Sequence, residues 1–233
     1  MSQSKLIFFH SLGVALILTA VSYLVSFVVG WTHPSQTNWL EILAVFTSYS
    51  CTYMCVKQSR WNYPVGILTT FIYSWFYWTA QPEPATALAV FNLYLVFSLM
   101  FGYWRWGPDG NPRQISFVER NWWLGYVGIG AVIAGLLAIA IFGFGAKISG
   151  LEIGIVVLSG VAQFLLDNKK LETWAVWIVV NILSIYFYWT VGWYLVMFQY
   201  VFFLANAFWG AYEWRKSMAT STVTYGRAQT AGV

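Results

Sequence analysis

No charged residue interrupts the chain from Thr173 to Tyr212, a run of 40 positions. At ~1.5 Å per helical residue this covers about 60 Å, twice the ~30 Å hydrocarbon thickness of a bilayer. Residues 61–82, 84–104 and 121–146 are also free of charge. Only 9% of the chain is charged, against about a quarter in soluble domains, so a water-facing surface cannot be built from it. In hydrocarbon, backbone polar groups must be satisfied within the segment, which leaves helices for runs of this length. The chain reads as an all-α polytopic membrane protein.

Eight spans fit the apolar runs: Leu6–Gly30, Trp39–Val56, Asn62–Ala80, Pro84–Tyr103, Trp122–Phe144, Ser149–Leu166, Thr173–Thr190 and Trp193–Tyr212. Of the 12 basic residues, all but Lys147 then fall on one side. The positive-inside rule makes that side, with both termini, cytoplasmic. The same scatter through short loops argues against nucleic acid as a partner, despite the net charge of +4. The first span has a signal-peptide look but no small-residue cleavage site before Trp31, so it is read as a retained helix. Cys51 and Cys55 sit one turn apart in an apolar run and read as small fillers, since a metal would need further ligands. The loop Gly107–Arg120 is a turn-rich cytoplasmic connector, and the small, polar tail after Ser217 predicts disorder.

The chain repeats itself. At an offset of 111, Leu40-Glu41-Ile42 meets Leu151-Glu152-Ile153, Ser48 meets Ser159, and Phe76-Tyr77-Trp78-Thr79 meets Phe187-Tyr188-Trp189-Thr190. The offset then falls to 108 through the Gln81–Pro84 turn, and Gly102 and Trp106 meet Gly210 and Trp214. Each repeat therefore holds three helices, and both begin outside and end inside. Joining two odd-numbered parallel units demands an extra crossing, supplied by the Gly- and Ala-rich fifth span. The expected organisation is an extra N-terminal helix (1–37), a first repeat (38–106), a cytoplasmic loop and linker helix (107–148), a second repeat (149–216) and a tail (217–233). Parallel repeats of this kind place a solute path between the bundles near the midplane, as in SWEET carriers.

Polar side chains in hydrocarbon are costly unless partnered or facing a wet cavity. Asn92, Gln163 and Asn181 fall near mid-depth, Gln199 somewhat outward and Asn206 somewhat inward. Trp174, Trp177 and Asn181 share one helix face, as do Gln199, Phe203 and Asn206. Such amides also tie helices together, but four helices converging at one depth favour a lined cavity. Trp61, Tyr73, Trp174 and Trp177 are candidate stacking walls. Trp78, Trp189 and Trp193 are assigned to the outer aromatic belt. With no charge placed at mid-membrane, an amide-and-ring pocket suits a planar, polar or cationic solute moved passively.

At these residues the chain resembles the PnuC family of nicotinamide riboside transporters. The second repeat carries the resemblance through Lys169-Lys170-Leu171-Glu172-Thr173-Trp174, Trp177, Asn181, Gly192-Trp193-Tyr194 and Ala211-Tyr212-Glu213-Trp214. The first contributes Asn62-Tyr63-Pro64-Val65-Gly66-Ile67 and Gly102-Tyr103-Trp104. The resemblance implies a SWEET-like 3+1+3 fold with an extra N-terminal helix, a homotrimer in the bacterial inner membrane, and facilitated uptake of nicotinamide riboside without a cofactor. It also implies binding by Trp174, Trp177 and Asn181 with the amides of spans four and eight; Asn92 stands where Gln is common. Relatives that carry thiamine or riboflavin, and a sensor that binds without moving its solute, are the alternatives. A retinal protein would need a mid-span Lys and a haem subunit would need His within helices. An intramembrane hydrolase would need a buried catalytic set. The sequence offers none of these.

Overall fold

The computed structural model describes residues 3–31, 38–80, 85–108, 112–145 and 148–231. Among these residues, eight α-helices follow one another: α1 (Gln3–Val28), α2 (Trp39–Val56), α3 (Asn62–Trp78), α4 (Thr86–Arg105), α5 (Trp123–Ala138, extended by a π-helical turn Ile139–Gly143), α6 (Gly150–Asp167), α7 (Thr173–Thr190) and α8 (Tyr194–Ala231). There is no strand among the described residues, although Ser116 and Lys170 form one isolated parallel bridge. Seven helices have the length and apolarity of a membrane crossing, as a multi-pass membrane protein requires. The eighth span expected from sequence, α3, has 17 residues and so covers about 26 Å. It stops at Trp78 rather than Ala80, with the Thr79 N–H capping back onto Trp75. Lys147, the Gln81–Pro84 turn and the centre of the Gly107–Arg120 loop lie outside the described residues.

Composition predicts a disordered tail after Ser217, yet α8 continues through it to Ala231. That stretch contains no proline, and its Thr220 hydroxyl donates back to the Lys216 carbonyl at 3.1 Å.

Local chemistry recurs at the repeat offset. Asn38 caps α2 by accepting from the Leu40 N–H, and Ser149, 111 positions on, caps α6 by accepting from the Glu152 N–H. The turns leaving α2 and α6 close alike. Gln58 N–H donates to Cys55 and Ser59 N–H to Met54, while Lys169 N–H donates to Leu166 and Lys170 N–H to Leu165. Gln58 and Lys169 both take the left-handed backbone that ends a helix, with φ of 55° and 51°. Tyr63 stands edge-on to Trp106 at 5.1 Å, and its mate Trp174 stands edge-on to Trp214 at 5.3 Å.

Several repeat mates also touch each other. The Tyr77 and Tyr188 hydroxyls lie 2.7 Å apart, and the Trp106 and Trp214 rings lie 5.9 Å apart. The indole of Trp106 donates to the Leu166 carbonyl, and that of Trp214 to the matching Cys55 carbonyl. Helix packing has the same exchange: α2 lies against α8, and α6 against α4. Outside this pair of triplets, α1 lays a buried stripe of small residues (Ser11, Ala15, Thr19, Ser22, Ser26) toward its neighbours, bonding Ser11 to Ser50 and Ser22 to Tyr49, each at 2.8 Å. The α5 helix lies against α4 and α6.

Candidate functional site

All six helices of the two triplets contribute to one interior cavity, of which water centres can occupy about 180 Å³. Among the described residues, neither α1 nor α5 lines it. Its polar groups come from Ser48 and Thr52 on α2, Asn62, Thr69, Thr70 and Tyr73 on α3, Gln163 on α6, Asn181 on α7, and Gln199 and Asn206 on α8. Aromatic and apolar walls are Trp174, Trp177, Tyr200, Phe203, Leu95, Leu99 and Leu166. Among the described residues, no Asp, Glu, Lys, Arg or His lines it.

Seven of the nine residues selected from sequence meet in this cavity: Tyr73, Gln163, Trp174, Trp177, Asn181, Gln199 and Asn206. Two do not. Trp61 is exposed and packs against Phe8 of α1 at 5.8 Å, because it precedes the first turn of α3 and faces out. Asn92 donates one N–H to the Leu88 carbonyl of its own helix and is absent from the lining. Conversely, Cys51 and Cys55 line the cavity and do not merely fill the core. Cys51 donates to the Asn62 carbonyl at 3.3 Å.

Hydrogen bonding fixes which end of each amide is spent. Tyr73 donates to Gln199 Oε1, so the Gln199 amino group remains for the cavity. Gln163 donates through Nε2 and Asn62 through Nδ2, so both keep a carbonyl oxygen. Three cavity-lining groups are buried without a partner: Trp174 Nε1–H, a donor, and the acceptors Asn62 Oδ1 and Asn181 Oδ1. Their residues are 4%, 0% and 2% exposed. An unsatisfied buried polar atom costs ~1–3 kcal/mol, and three of them belong to residues that line this one cavity.

Aromatic rings flank the cavity. Tyr73, Tyr77, Trp193, Tyr188 and Tyr200 form a continuous stack with centroid spacings of 5.4, 5.6, 6.0 and 5.2 Å, whose two end members, Tyr73 and Tyr200, line the cavity. Trp193 thus belongs to this stack and not to the lipid-facing belt expected of it, because the Gly192 turn at φ +76° folds it back over Tyr188. Elsewhere, Trp106 and Trp214 donate to the carbonyls of Leu166 and Cys55, two residues of the lining.

Three buried charged residues escaped sequence reading. Asp167 ends α6 at 1% exposure and contacts Gln163 of the cavity wall. Lys169 and Lys170, expected in a solvated loop, are each 1% exposed. Their ammonium groups lie 4.6 and 4.4 Å from the Trp106 and Trp122 rings, and Lys170 also reaches Ser116 and the Phe117 carbonyl. Spacing alone gave no warning, because the aromatic partners come from distant segments. Among the described residues, no cluster of three or more His, Cys, Asp or Glu could hold a metal ion.

Eight described helices, seven of them long and apolar enough to cross a membrane, around an amide- and ring-lined cavity define a multi-pass membrane protein. The chain belongs to the nicotinamide mononucleotide transporter family, whose model matches residues 38–216, and within it to the PnuC transporters. It is 27% identical over 198 residues to the nicotinamide riboside transporter PnuC of Neisseria mucosa, covering 77% of this chain and 73% of the relative. The PnuC of Haemophilus influenzae is 26% identical, with 77% and 80% covered. The fold matches the crystal structure of the vitamin B3 transporter PnuC with a TM-score of 0.69 at 24% identity, over 88% of this chain and 90% of that one. The family is one of transporters, not enzymes.

Proposed function

We propose that the chain carries nicotinamide riboside into a bacterial cell by facilitated diffusion, one solute at a time and without a coupling ion. The single observation that carries this reading is the converging set of unpartnered cavity groups, Trp174 Nε1–H, Asn62 Oδ1 and Asn181 Oδ1. An N-riboside of nicotinamide offers hydroxyl and amide donors for the acceptors, an amide carbonyl for the indole, and a cationic ring for the faces of Trp174 and Trp177. The phosphorylated form is a poor match, since no Lys or Arg lines the cavity to pair with a phosphate. The lining has no titratable carboxylate to relay a proton, which supports uniport.

The remaining parts of this reading concern arrangement. Contacts between repeat mates support two parallel triplets in a SWEET-like 3+1+3 order, with a two-fold axis from the Tyr77–Tyr188 pair to the Trp106–Trp214 pair. Opening one ring closure at a time would expose the chamber to alternate sides. The basic residues support cytoplasmic termini, and the family resemblance supports a homotrimer. A competition binding experiment on purified protein tests the substrate. Nicotinamide riboside should bind at least tenfold tighter than its mononucleotide, thiamine or riboflavin. Tighter binding of any competitor would replace it as the substrate.

A further inference from the structure

Asp167 is a carboxylate placed where the fold does not call for one. Its repeat mate is Val56, and the turn after Val56 closes with the same backbone bonds as the turn after Asp167. Gln163 likewise corresponds to Thr52, whose hydroxyl is used on the Ser48 carbonyl of its own helix. Burying a carboxylate costs several kcal/mol unless donors surround it, and here three do. Asp167 Oδ1 accepts from Gln163 Nε2 at 2.8 Å and from the Tyr63 hydroxyl at 3.2 Å, while Oδ2 accepts from the Ser98 hydroxyl at 2.7 Å. Gly102 makes the approach possible: a Cβ there would strike both Asp167 Oδ1 and the Tyr63 ring.

We infer that Asp167 is a positioning residue for the solute site, holding the Gln163 amide so that its Oε1 faces the cavity as an acceptor. The inference rests on the nicotinamide riboside reading. A carboxylate offers only acceptors, so Gln163 must give it the NH₂ end and keep the oxygen for the chamber. Electron density drawn through the charge-assisted bond makes that oxygen a stronger acceptor and a better neighbour for a cationic ring. Because the first repeat has no counterpart, the cavity is polarised on one side only.

The test is equilibrium binding of nicotinamide riboside to the purified full-length chain and its variants. Asp167→Asn, whose amide can present either end to Gln163, should weaken binding roughly tenfold, the worth of one good hydrogen bond. Gln163→Leu should weaken it by a similar factor, and adding Asp167→Asn to that background should change little more. The swap Gln163→Glu with Asp167→Asn reverses donor and acceptor between the two positions and keeps an acceptor on the cavity, so affinity should return. Ser98→Ala and Tyr63→Phe, which remove other partners of the carboxylate, should leave affinity unchanged. Equal losses from Asp167→Asn in both backgrounds, or a swap no tighter than Gln163→Leu, would overturn the positioning role. Should Asp167→Asn fail to fold, the swap decides alone. A wild-type chain that does not bind the riboside overturns this role together with the substrate reading, whereas binding by wild type isolates a failure to Asp167.

Discussion

Asn181 and Trp174 show how a residue's unmet bonding separates function from stability. The Asn181 Oδ1 has no partner, so Asn181→Ala should lower riboside binding at least tenfold while thermal unfolding in detergent stays near that of the wild type. Trp174 also packs on Gly210, so Trp174→Phe is the cleaner probe: it keeps a ring there and deletes only the indole donor, and binding should fall without a large stability loss. Lys169 poses the opposite case. Burial, with the charge of Arg113 second, holds its ammonium down from 10.5 to about 8. A cation whose folded value lies below its unfolded value opposes folding at neutral pH, and stability then rises with pH between those two values. Lys169→Met should therefore stabilise the chain at pH 7, by on the order of 3 kcal/mol before ~1 kcal/mol of cation–π contact is lost. The advantage should vanish above about pH 10.5, which unfolding scans at pH 7 and 11 would check. Gln163, Asn181, Gln199 and Asn206, which line the cavity, were legible because a carboxamide in an apolar helix has few uses, but Asn62, at the start of α3, was not selected and Asn92 does not reach the lining. Asp167, Lys169 and Lys170 were not legible, because each sits at a helix end, where sequence expects solvent. Only the packed loop and the partners from α3 and α4 reveal them as buried.

Helices in this chain meet at glycines, and the partner at each contact decides what a methyl group would do. A Cβ on Gly210 of α8 would lie 2.5 Å from the Trp174 ring of α7. That ring is rigid and lines the cavity, so Gly210→Ala should destabilise by ~1–3 kcal/mol and also weaken riboside binding. A Cβ on Gly160 of α6 would instead meet the tip of Ile133 on α5, a flexible end on a helix that contributes nothing to the lining. Gly160→Ala should cost less stability and leave affinity unchanged. Paired melting curves and binding isotherms on the two variants would separate a wall of the chamber from its scaffold. At this scale the sequence read well wherever apolar runs ended in caps and turns, as at Asn38 and Ser149.

The internal repeat was legible in the sequence, and local chemistry recurs at its offset, as in the paired caps Asn38 and Ser149. What the sequence could not give was which mates touch: Tyr77 with Tyr188 and Trp106 with Trp214 meet only once the triplets are packed. If transport proceeds by uniport through a chamber lined by no charged residue, its energetics are fixed by the solute alone. Nicotinamide riboside carries one positive charge on its ring, and nothing in the lining neutralises that charge. An inside-negative potential should then drive its accumulation, with 100 mV worth ~2.3 kcal/mol, or roughly fifty-fold at equilibrium. In vesicles containing the purified protein, a potassium diffusion potential should raise steady-state riboside accordingly. A proton or sodium gradient imposed at zero potential should leave it unchanged. The uncharged dihydro form of the riboside should reach equal concentrations on both sides under every condition. Accumulation driven by a proton gradient at zero potential would mean that a proton travels with the solute, and the buried Asp167 would be the group to examine first.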